Sequence, residues 1–547
     1  MRLIIIGGVA GGASAAARAR RLDESAEILL VERGPDVSFA NCGLPYHIGG
    51  VIPERHKLLV VTAEMLRKRF RLDVRTRSEV VAIDRAAKTV RIRDHAADRT
   101  YDERYDKIIL APGAAPIRPP LPGSDLPGVF TLRTLGDTDR IKQAVDGGAK
   151  HAVIIGAGFI GLELAENFIH RGLGVTVLEL GPQILAPFDP EMTTPLNAVL
   201  AKNGVEVLLG DTAAGVAAGP DGLVVTTKNG VTRTAQVVVL GIGVRPENKL
   251  ATDAGLEVGP RGGIRIDEYL RTSDPDIFAV GDAVETVDFV TGDRTQVPLA
   301  GPANRQGRLA ADNAFGRAAR FRGAQGTAIV GFFGHAAAMT GASEKTLKRL
   351  GRDYRKVYVH PAHHAGYYPG AEGMTLKMLF DPATGKILGA QGVGGAGVDK
   401  RIDVLAVAIQ AGLTVEALEE TELCYAPQFG SAKDPVNMLG FVAAGLRRGD
   451  HPQVDWEAIA AGGADRFLLD VRTPDEFNAG HIPGAVNIPV DELRERLGEV
   501  PADKPVVAYC QVGMRGYLAT RVLMQAGRQV ANLSGGYRTF RLHVPAG

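Results

Sequence analysis

Two of the three cysteines in this chain stand where sulfur chemistry could be done. Cys42 lies in Ser38-Phe39-Ala40-Asn41-Cys42-Gly43-Leu44-Pro45-Tyr46, just after a nucleotide-binding βα pattern and with no second cysteine near enough for a local disulfide. A thiol so placed has to cycle through a mixed disulfide, a persulfide or a sulfenic acid. That points to flavin chemistry on sulfur brought by another molecule. The Gly43-Leu44-Pro45 that follows predicts a helix N-terminus beside the sulfur, where the positive end of the dipole favours a thiolate. Cys510 opens Cys510-Gln511-Val512-Gly513-Met514-Arg515, a loop predicted to wrap backbone N–H groups around its sulfur. Arg515 would then stabilise a thiolate and, after it, a persulfide anion. Cys424 has no partner in sequence and reads as a small apolar residue.

Two glycine turns must position the first thiol. Strand Leu3–Ile6 runs into Gly7-Gly8-Val9-Ala10-Gly11-Gly12 and an Ala/Arg-rich helix, and strand Glu27–Val31 ends in Glu32, followed by Arg33. The pattern recurs: Ala152–Ile155 runs into Gly156-Ala157-Gly158-Phe159-Ile160-Gly161, and Val175–Leu178 ends in Glu179. In each, glycines serve a tight turn, room for a pyrophosphate and close helix–strand packing, and the downstream acid can accept from a ribose hydroxyl. The first copy departs at Val9, where the motif has its second glycine. Two matches, each with its acid, predict two bound dinucleotides. Glu179 is followed by Leu180 and Gly181, with no adjacent cation for a 2′-phosphate, so NADH is expected over NADPH.

The length, 547 residues, implies three or four domains. With 63 basic against 62 acidic residues there is no bulk electrostatic draw to nucleic acid or membrane. Three scattered cysteines make a poor disulfide framework and suggest cytoplasmic chemistry. Met1–Ala17 has the outline of a signal peptide, but its glycine run reads better as strand, turn and helix, and no apolar run is long enough to cross a bilayer.

Strand Lys107–Leu110 enters Ala111-Pro112-Gly113, strand Val237–Leu240 enters Gly241-Ile242-Gly243, and Thr272-Ser273-Asp274-Pro275 leads to Val280-Gly281-Asp282. With these crossovers, residues 1 to about 445 resemble the two-dinucleotide flavoprotein disulfide reductases. The resemblance implies FAD at Gly7–Gly12, Glu32, Arg33, Ala111, Gly113 and Asp282, the last bonding the flavin ribitol. It implies NADH at Gly156, Gly158, Phe159, Ile160, Gly161, Glu179 and Gly243. The string around Cys42 is similar to the single-cysteine branch: coenzyme A disulfide reductases, NADH oxidases and peroxidases, and persulfide reductases. The two-cysteine branch would carry a second cysteine where His47 stands, so an internal dithiol is excluded.

Oxidases and peroxidases of that branch use a histidine in the early helix, where this chain has Ser14, Arg18 and Arg21. By resemblance these, with Ser38, Asn41 and Arg75, are expected to meet coenzyme A. Tyr367 and Tyr425 match tyrosines that reach the partner subunit's cysteine in a homodimer and can protonate a departing coenzyme A thiolate. His360, His363 and His364 lack an accompanying carboxylate or cysteine, and no metal site is expected.

From Phe467 onward, Asp470-Val471-Arg472-Thr473-Pro474-Asp475-Glu476-Phe477, Gly480-His481-Ile482-Pro483-Gly484-Ala485 and the Cys510 loop resemble a single rhodanese domain. That family implies supporting roles for Asp470 and Arg472. The short loop matches sulfurtransferases, whereas phosphatase relatives carry one residue more. The expected fold is therefore α/β throughout. It comprises a Rossmann-like FAD domain (1–112 and 245–325), a Rossmann-like NADH domain (113–244), an α+β dimerisation domain (326–445), a linker (446–455) and an α/β rhodanese domain (456–547).

The whole resembles coenzyme A disulfide reductase–rhodanese fusions, or NADH-dependent persulfide reductases. This implies reduction of coenzyme A persulfide, polysulfide or coenzyme A disulfide at Cys42, with sulfane sulfur carried on Cys510. Two alternatives stay open: an NADH oxidase or peroxidase using a Cys42 sulfenic acid, and a sulfurtransferase whose flavoprotein part only recycles the acceptor.

Overall fold

The computed structural model describes residues 1–460 and 465–543; the ends of the expected rhodanese domain at 544–547, and 461–464 within it, lie outside the described residues. The chain divides into two compact units, Met1–Ile184 with Leu200–Gly326, and Leu185–Val199 with Thr327–Gly547.

In the first unit the apolar run Leu3-Ile4-Ile5-Ile6 is buried on both faces, as a central parallel strand must be. It pairs in parallel with Glu27–Val31 on one side and Lys107–Leu110 on the other. Asp73–Arg75 and Ile277–Ala279 complete a five-stranded sheet. A second five-stranded parallel sheet is centred on His151–Ile155, flanked by Gly174–Glu179 and Val237–Leu240. Each sheet is accompanied by a three-stranded antiparallel sheet, Ser78–Asp84 with Thr89–Asp94 and Arg99–Arg104, and Ala213–Gly219 with Gly222–Thr227 and Thr232–Ala235. Both expected Rossmann-like halves are present, with the expected strands in place to within a residue or two.

The second unit holds a five-stranded antiparallel sheet (Ala328–Phe332, His335–Gly341, Ile387–Gly394, Met374–Phe380, Arg355–Val359) covered by the helix Val398–Ala411. It also holds a parallel sheet ordered Gln453–Val454, Val530–Leu533, Val506–Tyr509, Phe467–Asp470, Val486–Asn487. The linker expected at 446–455 is corrected at its start by the structure: a helix runs from Pro435 to Arg448. Past Val436 and Leu439 its buried face is made of Gly440, Ala443, Ala444 and Gly445, small residues that carry little hydrophobic signal. A Cβ at Gly440 would press on the Leu418 and Glu419 backbone, so the face is small because the neighbouring helix lies close. Gln453 and Val454, expected in the linker, pair with Asn532 and Leu533 and so form the edge of the parallel sheet.

One ammonium group sits at the middle of the second unit. Lys377 is fully buried, and its Nζ donates to Asp189 (2.8 Å), Glu191 (2.5 Å) and Glu344 (2.6 Å). These acids come from the segment 185–199 and from the helix Glu344–Arg349. Lys356 extends the network from Glu344 (3.2 Å) to Glu457 (2.6 Å), and His543 Nε2 lies 3.5 Å from Glu191. Glu457 and His543 belong to the C-terminal region, so buried charge holds the rhodanese-like sheet to the antiparallel one. Burial alone would raise the Glu191 and Glu344 carboxyls. Lys377, helped by His543 at the first and Lys356 at the second, overrides it and holds both well below the usual carboxylate range.

Lys377→Met should therefore cost about 3–5 kcal/mol in urea denaturation, because it leaves buried carboxylates unpaired. Since the two folded-state values are depressed, the network's contribution is fully present above the ordinary carboxyl value of 4.5 and drains away as pH falls below it. Melting temperature measured from pH 7 to pH 3 should fall most steeply below that value in the wild type, and less steeply in Lys377→Met.

Candidate active site

The two glycine turns are built alike. Gly12 and Gly161 each begin their helices so close to the carbonyls of Gly7 and Gly156 that a Cβ at either would overlap the oxygen. Gly7 (φ 98°) and Gly156 (φ 110°) turn the chain in the left-handed region. The acids also match: Glu32 accepts from the amides of Gly8 (2.8 Å) and Gly34 (2.7 Å), and Glu179 from those of Ala157 (2.8 Å) and Gly181 (2.7 Å). The helix Ala10–Leu22 starts at Val9 and the helix Phe159–His170 at Gly158.

At Gly158 a Cβ would meet nothing within 4 Å, which leaves an open cradle at the N-terminus of Phe159–His170 where a pyrophosphate could lie. Val9 narrows the matching place in the first turn. Asp282, in the short turn Gly281–Ala283, accepts no hydrogen bond from the described residues. Burial raises its carboxyl although Arg133 pulls it down, as suits an acid that takes a hydroxyl donor from a ligand. Gly113 (φ 76°) lies against Arg133, Ala111 N–H donates to Ile6 (2.7 Å), Gly243 also turns left-handed (φ 110°), and Arg33 pairs with Glu247. These donors and cradles fit two dinucleotides.

Cys42 is exposed, in a single 3-10 turn, Asn41–Gly43, that leads into the helix Leu44–Ile48. The expected helix N-terminus is there, but the expected lowering of the thiol is not. Desolvation by the protein against one side of the sulfur, then the charges of Glu163 and Asp282, push it up. A helix of five residues has too short a dipole to outweigh them. Ser38 (φ 49°) donates its amide to Gly8 (2.8 Å), and Asn41 Nδ2 donates to the Arg133 carbonyl (3.3 Å), so both brace the Cys42 segment.

Two arginines expected to await an anion are already committed. Arg18 donates twice to Asp312 (2.9 and 2.6 Å) on the neighbouring helix Ala300–Ala314. Arg75 is spent on Asp73 (2.5 Å), Glu103 (2.7 Å) and Tyr101 (3.0 Å), because its strand lies beside a sheet rich in acids. Ser14 bonds Asn304, while Arg21 stays exposed.

In the second unit Tyr367 (76 % exposed) and Tyr425 (49 %) meet hydroxyl to hydroxyl at 2.9 Å, with Tyr368 and Phe429 also exposed. Their shared hydrogen bond raises the Tyr367 phenol. Cys424, expected as an apolar filler, is exposed beside Tyr425. His360 is spent between Thr375 (2.9 Å) and Thr539 (2.8 Å), and burial, helped by Arg538, pushes it down to about 3.

The buried Cys510 Sγ accepts from the Gly513 amide (3.2 Å), where the left-handed Gly513 (φ 103°) opens the helix Met514–Gln525. Arg515 is within electrostatic reach of Cys510 but is held by both oxygens of Glu476 (2.7 Å each), and it pushes that acid down to about 2. Glu476 was in view in the sequence, yet its pairing with a residue thirty-nine positions on left no local signal. Arg472 is buried on Asp470 (2.7 Å) and reaches Gln511 (3.1 Å), next to Cys510 in sequence.

Comparison with known proteins decides the family. Residues 1–307 match the pyridine nucleotide-disulphide oxidoreductase model, 327–435 its dimerisation domain and 454–543 the rhodanese-like domain. The chain belongs to the pyridine nucleotide-disulphide oxidoreductase family. Membership implies FAD and NAD(P)H, and the chain is an oxidoreductase with a rhodanese-like domain joined to it. It is 36 % identical to a coenzyme A disulfide reductase of Staphylococcus haemolyticus over 447 residues, 81 % of this chain and all of that one. Among solved structures it resembles the reduced Bacillus anthracis CoADR-RHD (48 % identity, TM-score 0.97, 100 % of this chain and 98 % of that one). It also resembles a NAD-dependent persulfide reductase from A. fulgidus (38 %, TM-score 0.91, 99 % and 100 %). No helix among the described residues is long and apolar enough to cross a membrane.

The two motif glycines of the second turn should separate binding from folding. Gly158→Ala, with open space at its Cβ, should leave the melting temperature unchanged and raise the KM for the nicotinamide dinucleotide about tenfold by filling the cradle, a loss of about 1.4 kcal/mol. Gly161→Ala, which would overlap the Gly156 carbonyl, should instead lower the yield of folded protein.

Proposed function

We propose that this protein is an NADH-dependent reductase of coenzyme A persulfide, polysulfide or coenzyme A disulfide, acting as a homodimer, with a rhodanese domain that feeds it sulfane sulfur. The observation that carries the reading is one exposed thiol, Cys42, in a unit with two dinucleotide turns, on a chain that also holds a buried thiol in a sulfurtransferase-type loop. The similarity to both a coenzyme A disulfide reductase and a persulfide reductase supports it.

NADH would bind along Gly156–Gly161 with Glu179 toward its ribose. Both Glu179 oxygens already hold turn amides, which fixes the carboxylate where a 2′-phosphate would sit and favours NADH over NADPH. FAD, on the Gly7–Gly12 turn with Glu32 and Asp282, would relay the electrons to sulfur.

The Cys42 thiolate attacks the inner sulfur of coenzyme A persulfide, forming the Cys42–coenzyme A disulfide and releasing hydrosulfide. With coenzyme A disulfide, the thiolate of coenzyme A leaves instead. Two electrons and one proton then split the mixed disulfide into Cys42 thiolate and coenzyme A thiol. Tyr367 and Tyr425 of the second subunit would supply that proton; their hydroxyl-to-hydroxyl bond lets one phenol steady the other as it donates. Ser38, Asn41 and the exposed Arg21 are the candidates for steering coenzyme A. At the other thiol, Cys510 takes a sulfane sulfur from a donor persulfide, which leaves as a thiolate. It then passes that sulfur to coenzyme A thiolate, making coenzyme A persulfide and regenerating the Cys510 thiolate. The Gly513 amide and Arg515 face the charge at each stage.

Anaerobic NADH consumption with coenzyme A persulfide and with coenzyme A disulfide, with sulfide measured alongside, tests the reading. The persulfide should turn over faster and yield one sulfide per NADH, and Cys42→Ser should lose more than about a hundredfold on both substrates. Full turnover by Cys42→Ser would sink it. Cys510→Ala should spare NADH-dependent reduction of added coenzyme A persulfide and abolish sulfur transfer from a donor to coenzyme A.

A further inference from the structure

Tyr367 and Tyr425 come from two separate loops. Residues 360–373 join the strands Arg355–Val359 and Met374–Phe380, and residues 420–434 join the helices Val415–Glu419 and Pro435–Arg448. Both side chains are exposed, so packing around them does little to fix where their hydroxyls stand. One hydrogen bond between exposed hydroxyls is also too weak to order two loops against their chain entropy. What brings the hydroxyls to 2.9 Å therefore lies elsewhere in the two loops.

Arg401 joins them. It is fully buried, in the first turn of the helix Val398–Ala411, and was not singled out from the sequence. A single nitrogen, Nη2, donates to the His363 carbonyl (2.8 Å) in the first loop and to Asp434 (2.8 Å) at the end of the second. Nε adds a longer bond to Asp434 (3.4 Å), and Nη1 one to the Gly397 carbonyl (3.3 Å). Asp434 in turn caps the helix Pro435–Arg448, accepting from the Val436 amide (3.0 Å). Asn437, in the same cap, donates to the carbonyls of Leu418 (3.0 Å) and Thr421 (2.9 Å), so the cap fixes both ends of the loop that carries Tyr425. The two loops also meet through backbone, the Ala365 amide donating to the Gly430 carbonyl (2.9 Å). None of these bonds goes to a phenol.

We propose that Arg401 is a positioning residue for the Tyr367–Tyr425 pair: by holding His363 and Asp434 on one guanidinium, it sets the two phenols at the separation where one steadies the other as it donates. The planar fork suits the task, because its donors leave in fixed directions toward two carbonyls and a carboxylate at once. Arg401 itself exchanges no proton and makes no covalent bond. The inference rests on the reading of the tyrosines as the proton source for the departing coenzyme A thiolate, and its effect falls on that step alone.

The experiment is a double-mutant cycle on the FAD-loaded full-length protein, with Tyr367→Phe, Arg401→Gln and the two combined, read as kcat for anaerobic NADH oxidation with coenzyme A persulfide. Tyr367→Phe should lower kcat about tenfold, Arg401→Gln about as much, and the combined variant no further than the slower of the two. A residue that merely stabilised the domain would instead multiply its loss onto that of Tyr367→Phe, to about a hundredfold. That product, or an Arg401→Gln as fast as wild type, would overturn the inference while leaving the tyrosine reading intact. Tyr367→Phe as fast as wild type would remove the tyrosine reading, and the inference with it. Should Arg401→Gln yield no folded protein, Arg401→Lys, which keeps a charge beside Asp434 without the fork, takes its place in the same cycle under the same criteria.

Discussion

The first unit depends on a steric constraint met twice. A helix can aim its free amides at a phosphate only if its first turn lies almost on the preceding strand–turn carbonyl. At Gly12 and Gly161 that approach leaves no room for a Cβ. The constraint sets the start of both helices, and with it the places of Glu32 and Glu179, which fasten the same two turns through backbone amides. It also decides what meets the short helix that follows Cys42. Because Phe159–His170 must begin at Gly158, Glu163 falls one turn along it and faces the Cys42 segment.

The second unit is organised by charge instead of by close backbone contact. Three carboxylates from two separate segments converge on Lys377, and the same network continues through Lys356 and His543 to the C-terminal region. Burying so many charges is costly, and the arrangement holds only while every member is paired. Such pairing is selective: a slipped docking of the rhodanese-like sheet would strand several charges at once. The Cys510 loop benefits from that rigidity. The amides of Tyr537 (2.8 Å) and Arg538 (2.9 Å) donate to the carbonyls of Cys510 and Gln511. Thr539, in the same short helix, is bonded to His360 of the antiparallel sheet. The Cys510 loop is thereby fastened to the antiparallel sheet that His360 flanks.

The two thiols sit in opposite environments although both were read as thiolate sites. Cys510 is buried and its sulfur receives an amide, with Arg515 in reach though paired with Glu476. Cys42 is exposed and faces acids, so its ionisation is restrained.

Sequence alone determined whatever depends on neighbours along the chain. The two glycine turns with their strands and acids, the isolation of Cys42, and the Cys510 loop with Arg515 are all short-range patterns, in which residue type and spacing state the geometry directly. Glycine can be read this way because no other residue tolerates the approach. The last turns of the helix Pro435–Arg448 were placed in a linker because their buried residues are glycine and alanine, which pack tightly without an apolar period. Tertiary structure alone decided the pairings: Arg18 with Asp312, Arg75 with Glu103, Glu476 with Arg515, Lys377 with its three acids, and Glu163 with Tyr46. Free arginines and acids look identical in a sequence. What each charge does depends on which opposite or like charge the fold sets beside it, and those partners lie tens to hundreds of residues away.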